Sequence, residues 1–368
     1  MGMATGFLHH ELYLWHNTHN WAEVYPPSLT VQPGVHAENP ETKRRFRNLV
    51  EVSGLLDQLT VLRPRAASED EIARFHSRDH IAGIKAKSQT GYADAGGLTP
   101  MGEGSFEIGL LSAGGTIVAL EAVLSGKVKN AYALVRPPGH HATRTSAMGF
   151  CLFANAVIAI HHARAEHGIT RVATVDWDVH HGNGTQSAFY EDPNVLTISL
   201  HQDNLFPENS GTLAETGRGA GLGANINIPL PAGSGNGAYS AAFQQVVIPA
   251  LAAFKPEVII VPSGFDASGA DPLGRQMVSS TGFRAMTKLL MQAAETLCGG
   301  RLMMTHEGGY SAHYVPYCGL AVLEEMSGIR TQVADPWAET MDLWGGQTLQ
   351  PHQAAVITEA ARLVARIP

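Results

Sequence analysis

The sequence predicts an α/β protein, with a central, mainly parallel sheet flanked by helices. Three observations predict this. Short, unbroken apolar runs alternate with helical stretches along the chain, as expected of strands covered on both faces. Four of those runs lead straight into loops rich in Gly, His, Asp and Tyr, and ligands gather at the carboxyl ends of the strands in open parallel sheets. The 368 residues contain no repeat, low-complexity linker or break in composition. One domain spanning 1–368 is therefore expected, a length that single α/β enzymes reach.

The strands are expected at 131–135 (AYALV), 171–175 (RVATV), 195–200 (VLTISL), 225–230 (NINIPL), 257–262 (EVIIVP) and 301–305 (RLMMT). Helices are expected at 106–126, 154–168, 238–254 and 281–297. The last two start after Gly- or Ser-rich turns and stop near Gly or Lys-Pro, which are ordinary helix boundaries. His9, His10, His16 and His19 are read as part of an N-terminal strand and rim loop, and the mid-helix pair His161 and His162 is given no role.

Composition narrows the function classes. Hydrophobic residues make up 44% and charged residues 16%, enough apolar material for a core and too little charge for long disordered arms. A formal net charge of −8 gives no basic face for sequence-general nucleic-acid binding. Cys151, Cys298 and Cys318 form no disulfide pattern and fit a reducing compartment. The start of the chain lacks a basic segment followed by an apolar stretch, and Gly6 stands where a myristoylation signal at Gly2 wants Ser or Thr. No stretch reads as long and apolar enough to cross a bilayer. The expectation is a soluble, cytoplasmic protein without a membrane or nucleic-acid partner.

The chemistry lies in the four loops: RPPGHHA (136–142), DWDVHHGNG (176–184), SGFDAS (263–268) and HEGGY (306–310). Asp178 and His180 are two apart, so in extended chain they point to the same side and can share a metal ion. Asp266 would add a third ligand from another strand end. Two carboxylates and one imidazole with open positions suit a catalytic rather than a structural metal. Taken alone, DWDVHH reads equally as a turn capped by Asp178 with His180 as a satisfied polar residue. Zn²⁺ accepts this mixed donor set, and Fe²⁺ or Co²⁺ could use it too. Two carboxylates cancel the ion's charge and weaken it as a Lewis acid, so further groups are needed. His140 and His141 can converge only in a turn, which Pro137, Pro138 and Gly139 permit. Asp176 could hold one of them as a cation while Asn183 orients the other as a neutral base. Tyr310, after two glycines, could donate a hydrogen bond to a carbonyl oxygen as charge develops on it.

RPPGHHA, GFC (149–151), DWDVHHGNGT, SGFDA with ADPLG (270–274) and EGGY, together with NPETKRRF (39–46), come in this order over roughly residues 35–330. This set resembles the zinc-dependent histone deacetylase family, most closely its bacterial, class II-like histone deacetylase-like amidohydrolases. The resemblance implies the three-layer arginase/deacetylase-like fold, with the active site at the carboxyl strand ends. It implies one catalytic Zn²⁺ on Asp178, His180 and Asp266, and His141 as general base and acid. His140 would give electrostatic support through Asp176, and Tyr310 would polarise the substrate carbonyl. Asn183 stands where class I members have Asp, which implies class II affinity. Gly149, Phe150, Phe206 and Leu273 would line a tunnel for an acylated lysine side chain. A structural K⁺ would sit at Asp176, Asp178, His180, Ser199 and Leu200, and a second near Phe189, Asp192 and Val195. Some relatives with His in place of Tyr310 are poor deacetylases, so the Tyr implies activity. Polyamine-specific relatives carry an acid where this chain has Leu273, which implies an acyl-lysine substrate over an acetylpolyamine or another small acylated amine. Relatives often self-associate, which implies a homo-oligomer. In LTPMGEGSFEIG (98–109), Glu103 is the acid nearest to the usual rim position.

Two rivals remain at the level of sequence. An arginase-like dimanganese hydrolase would want a second acid where Ser268 stands. A non-catalytic binder of acylated lysine would keep the metal only for recognition.

Overall fold

The computed structural model describes residues 4–368, so Gly2 lies outside the described residues. Among the described residues there are ten strands: β1 (Gly6–Leu8), β2 (Thr60–Leu62), β3 (Tyr92–Asp94), β4 (Pro100–Gly102), β5 (Asn130–Ala133), β6 (Val172–Asp176), β7 (Val195–Gln202), β8 (Asn225–Leu230), β9 (Val258–Ser263) and β10 (Leu302–His306). Eight of them form one sheet in the order β2-β1-β5-β10-β9-β6-β7-β8. Every pairing within it is parallel, and β3 with β4 makes a separate antiparallel hairpin.

All six strands expected from apolar runs form, with ends shifted by a few residues. The runs are unbroken because both faces of each strand are covered. On β9, Ile259 and Val261 join one hydrophobic cluster with Trp177, Phe243 and Leu290. Val258 and Ile260 join the other, with Ile117, Leu120 and Val157. β10 divides the same way, Leu302 and Met304 against Met303. Each fully buried aliphatic side chain contributes about 1.5–3 kcal/mol, so the central strands are fixed from both sides. β1 and β2 have three residues each, too short for a periodic signal. The N-terminal strand ends at Leu8, so His9 and His10 follow it rather than lie in it.

Two helices correct the sequence expectation about bilayers. Ser105–Leu124 and Asn236–Phe254 are long and apolar enough to cross one by length and composition. Both pack against the sheet, with 67% and 56% of their most apolar stretches buried. Their apolarity serves the outer layers of the fold. Asn236–Phe254 continues through Pro249, which lacks the N–H of a regular turn, by widening into a π turn at Phe243–Val247.

Gly114 marks a close approach of Ser105–Leu124 to the chain at 65–67. A Cβ there would lie 2.0 Å from the Arg65 carbonyl oxygen and 2.5 Å from the Ala67 nitrogen. Ala is the better helix former by about 1 kcal/mol, but overpacking costs about 1–3 kcal/mol and backbone yields less than a side chain. Gly114→Ala is expected to lower stability, read as a lower midpoint in urea unfolding. An unchanged or raised midpoint would mean that the 65–67 segment moves aside freely.

Candidate active site

The four motif loops leave four adjacent strands, β5, β10, β9 and β6, all at their carboxyl ends. Past β6 the chain alternates. Trp177 and Val179 are fully buried in the core, so Asp176, Asp178 and His180 turn the other way. Asp178 and His180 meet Asp266, and the three offer ligand atoms within 4.8 Å of one another, all buried. His180 Nδ1 lies 3.0 Å from Asp178 Oδ1 and 3.3 Å from Asp266 Oδ2. Donors on a common tetrahedral ion at bonds of about 2 Å are spaced about 3.3 Å apart, so the set fits.

The remaining lone pairs of the carboxylates are assigned. Asp178 Oδ2 accepts from the Gly308 N–H (2.9 Å) and Asp266 Oδ1 from the Val179 N–H (2.8 Å). Asp266 Oδ2 alone has no hydrogen-bond partner, which leaves it for a cation. A Cβ on Gly308 would fall 2.0 Å from that oxygen, so only glycine keeps the cradle open. The electrostatics agree. Burial opposes charge on His180, yet the adjacent carboxylates of Asp178 and Asp266 push its pKa up to about 10. Burial and the neighbouring Asp178 push Asp266 up. The point between these groups attracts positive charge. Ser268, two residues beyond Asp266, is buried with an unpartnered hydroxyl and supplies no second carboxylate.

The histidine pair sits beside this cluster, ring centroids 3.9 Å apart. His140 Nδ1 contacts Asp176 Oδ2 at 2.9 Å, and His141 Nδ1 contacts Asn183 Oδ1 at 2.7 Å. Their different partners separate the two rings. Burial works against charge on His140, but Asp178 and Asp176 outweigh it and hold its pKa well above the usual value. Burial, reinforced by the charges of His140 and His180, drives His141 well below it. At neutral pH one imidazole is a cation and the other a free base. Burial also raises Asp176 to about 6, against the pull of His140.

A cavity of about 460 Å³ opens onto the cluster. Its walls include His141, Gly149, Phe150, His180, Phe206, Leu273 and Tyr310, so all four tunnel residues expected from sequence line it. The Phe206 ring lies 5.0 Å from His141, and the Phe150 ring 5.8 Å from Tyr310. Gly149, at φ +52°, has no room for a Cβ, which would meet the His141 ring at 2.4 Å. Burial, with Asp266 and Asp178 nearby, raises the Tyr310 phenol well above its usual pKa, so it stays a hydrogen-bond donor.

In the remaining set, Ser199 lies in register opposite Asp176 and Leu200 follows it in β7. The Ser199 hydroxyl pairs with His201 Nδ1 at 2.9 Å. Around the other position, the Phe189 carbonyl accepts from Asp192 N–H at 3.0 Å, and the Asp192 carboxylate is already paired with Arg164. Glu103 is exposed and outside the cavity lining, whereas Leu98 of the same segment is on it.

Sequence reasoning missed three acids. Glu307 is fully buried, and its Oε2 accepts the N–H groups of Gly139 (2.6 Å) and His140 (3.1 Å). Asp271 accepts the N–H groups of Tyr310 (2.7 Å) and Leu273 (2.9 Å). Glu23 lines the cavity mouth beside Val24 and Tyr25. Glu307 and Asp271 stood within quoted motifs, but their partners lie 168 and 39 residues away. Glu23 carried no local signal.

Glu307 yields a pH prediction. Burial raises its pKa from 4.5 to about 8, so between those values the folded chain binds a proton that the unfolded chain has lost. Stability then falls as pH rises through this window. Glu307→Gln keeps an acceptor for both N–H groups and cannot ionise. Its urea midpoint should gain on that of the wild type from pH 5 to 9, and parallel curves would refute the assignment.

The histone deacetylase domain family matches residues 36–326. A histone deacetylase-like amidohydrolase from Pseudomonas aeruginosa is 49% identical over 93% of this chain and 91% of its own length. A probable deacetylase from Archaeoglobus fulgidus is 34% identical over 89% and 87%. The crystal structure of the HDA15 HD domain superposes with a TM-score of 0.86 at 32% identity, covering 99% of this chain and 95% of that one.

Proposed function

Because this chain belongs to the histone deacetylase family and is a deacetylase-type amidohydrolase, we propose that it is a class II-like zinc enzyme. It removes acetyl or related acyl groups from the ε-amine of lysine in a protein or peptide, with 1–368 acting as one catalytic domain. One observation carries the reading. The donor set Asp178, His180 and Asp266, with its unpartnered Asp266 oxygen, borders the same cavity as a neutral imidazole and a protonated phenol.

Those three residues would hold Zn²⁺, which when bound supplies Lewis acidity toward water and the substrate carbonyl. Phe150 and Phe206 grip the apolar part of the acyl-lysine side chain and exclude bulk water. His141, its Nδ1–H turned to Asn183, takes the proton of the attacking water at Nε2. Tyr310 donates its hydroxyl hydrogen to the oxygen that gains negative charge. The cation on His140, held by Asp176, favours that charge from the side. His141 then returns the proton to the departing amine, leaving acetate and free lysine. One structural K⁺ is assigned to Asp176, Asp178, His180, Ser199 and Leu200, where it would keep Asp176 ionised. The Phe189, Asp192 and Val195 position is not assigned an ion, since Arg164 already neutralises Asp192.

The test is turnover of a fluorogenic acetyl-lysine peptide. Wild-type protein should lose activity to a chelator and regain it with Zn²⁺. Tyr310→Phe should fall about 10²- to 10³-fold in kcat. Peptide binding without turnover would instead mean a non-catalytic binder, and near-wild-type kcat in Tyr310→Phe would remove the phenol from the mechanism. Two metal ions in the active site would favour the dimanganese alternative.

A small acylated amine is the second reading, favoured by Glu23 at the mouth. Arg275 also lines it, so its charges balance and a polycation gains little on approach. Leu273→Glu should therefore shift the ratio of kcat/KM between an acetylated polyamine and the peptide by roughly tenfold toward the polyamine, a difference of about 1.4 kcal/mol. An unchanged ratio would show that Leu273 does not face the amine.

A further inference from the structure

A second cluster of metal-ligand type lies outside the cavity, on the outer face of the helical layer. Glu121, near the end of Ser105–Leu124, faces His162 and His167 of Asn155–His167, and the three offer ligand atoms within 4.8 Å of one another. Glu121 Oε1 is 2.9 Å from His162 Nε2 and 3.9 Å from His167 Nε2. We propose that Glu121, His162 and His167 form a second, structural site for a divalent transition metal such as Zn²⁺, tying these two helices together.

Three features point to a cation here beyond the presence of the donors. The first is charge. Two acids contact His162, and one is matched: Glu71 pairs with Arg65, as Glu166 nearby in sequence pairs with Arg74. Among the described residues no lysine or arginine forms an ion pair with Glu121, whose ion-pair contacts are the two imidazoles, while Arg65, bound to Glu71, acts on it from farther away. The second is the shell behind the donors. His162 Nδ1 lies 3.1 Å from Glu71 Oε1. With its proton on Nδ1 and directed to Glu71, the ring turns the Nε2 lone pair to Glu121, the carboxylate–histidine arrangement that orients metal ligands. The same nitrogen is 3.2 Å from an Arg74 guanidinium nitrogen, which serves the opposite tautomer, so the ring can hold either state. The third is access and field. Glu121 and His167 line an open surface cavity of about 470 Å³, with Arg63 and Lys127 also on its wall, and it leaves space for water to complete the coordination. His167 is also the last residue of its helix, where the helix dipole favours positive charge.

Two imidazoles and one carboxylate suit Zn²⁺, Ni²⁺ or Cu²⁺ rather than Mg²⁺ or Ca²⁺, which prefer all-oxygen sites. Earlier residues of the same two helices support the catalytic loop. Ser112 Oγ donates to the Pro137 carbonyl at 2.8 Å and Asn155 Nδ2 at 3.0 Å. A metal at the far end would thus brace the platform under His140 and His141 without touching substrate.

The experiment uses the full chain and Zn²⁺ as the probe. Bound zinc per chain is measured after equilibrium dialysis, and the thermal midpoint is followed as zinc is added. Wild type should bind one ion more per chain than His167→Ala or Glu121→Gln, and its midpoint should rise further with zinc. His167 is partly exposed, so its removal should leave folding and turnover of the acetyl-lysine peptide unchanged. Glu71→Gln should weaken the second ion by about 10- to 100-fold. Equal stoichiometry and equal midpoint shifts in wild type and both variants would overturn the proposal and leave the cluster as a proton-bridged ion-pair network. The stoichiometric difference is read at residues remote from the cavity, so failure here leaves the catalytic reading standing.

Discussion

Two carboxylates, Asp178 and Asp266, are buried against each other at the end of a parallel sheet, and the rest of the site answers that constraint. An unpaired ion in such surroundings costs several kcal/mol even after relaxation. Asp176 is matched by the cation on His140, whereas Glu307 and Asp271, both raised to about 8, are largely protonated at neutral pH. What remains is the pair Asp178 and Asp266, offset without a metal only by a proton on His180. Two negative charges beside a neutral imidazole balance one divalent ion. A fold that keeps this arrangement is therefore organised around a cation, and the basic strength of His141 and the acidity of Tyr310 are set in its neighbourhood.

The same constraint explains why each loop holds a residue of another. Gly308 from the loop after β10 donates to Asp178 of the loop after β6, and Val179 of that loop donates to Asp266 after β9. Glu307 gathers the N–H groups of Gly139 and His140 from the loop after β5. Asp271 reaches back from the β9 loop to the backbone of Tyr310. Backbone hydrogen bonds to the ionised Asp178 are about twice as strong as to a neutral acceptor, and with the buried carboxyls of Glu307 and Asp271 these contacts join four loops into one frame. A ligand or base held this way stays close to its working geometry, which catalysis by positioned groups demands.

Much of this was legible in sequence because the informative features are local. The interior strands read as unbroken apolar runs since both faces are covered, and the i, i+2 spacing of Asp178 and His180 follows from the pleat while Trp177 and Val179 enter the core. Convergence of the four loops follows from parallel topology alone. The illegible parts depend on distant contacts. β1 and β2 borrow their stability from β5, to which three residues of β1 pair. The roles of Glu307 and Asp271 exist only once loops far apart in sequence are joined. Helix Ser105–Leu124 is passed over in sequence as a stretch long and apolar enough to cross a bilayer, and its burial under the sheet is visible only in the fold. The tandem His161 and His162 illustrate the same limit: their neighbours on another helix cannot be inferred from their own.

The cavity separates chemistry from choice of substrate. Its floor is built by strand-end loops cross-linked through buried carboxylates, where small displacements are costly. Its mouth comes from elsewhere: Glu23 and Tyr25 from the N-terminal segment, Leu98 from the β3–β4 hairpin, and Pro272 to Arg275 from the outer part of the β9 loop. Glu23 and Leu98 adopt left-handed backbone angles, φ 54° and 64°, which for residues other than glycine cost of order 1–3 kcal/mol. The surrounding structure holds them there, so the lip is shaped as specifically as the floor but with different residues. Substitutions at the mouth can therefore change which acylated amine enters without disturbing the groups that cleave it. Leu273 stands at the junction, its N–H tied to Asp271, whose other oxygen holds Tyr310. Through that one carboxylate, the residue that greets the substrate is set in position with the residue that stabilises its reaction.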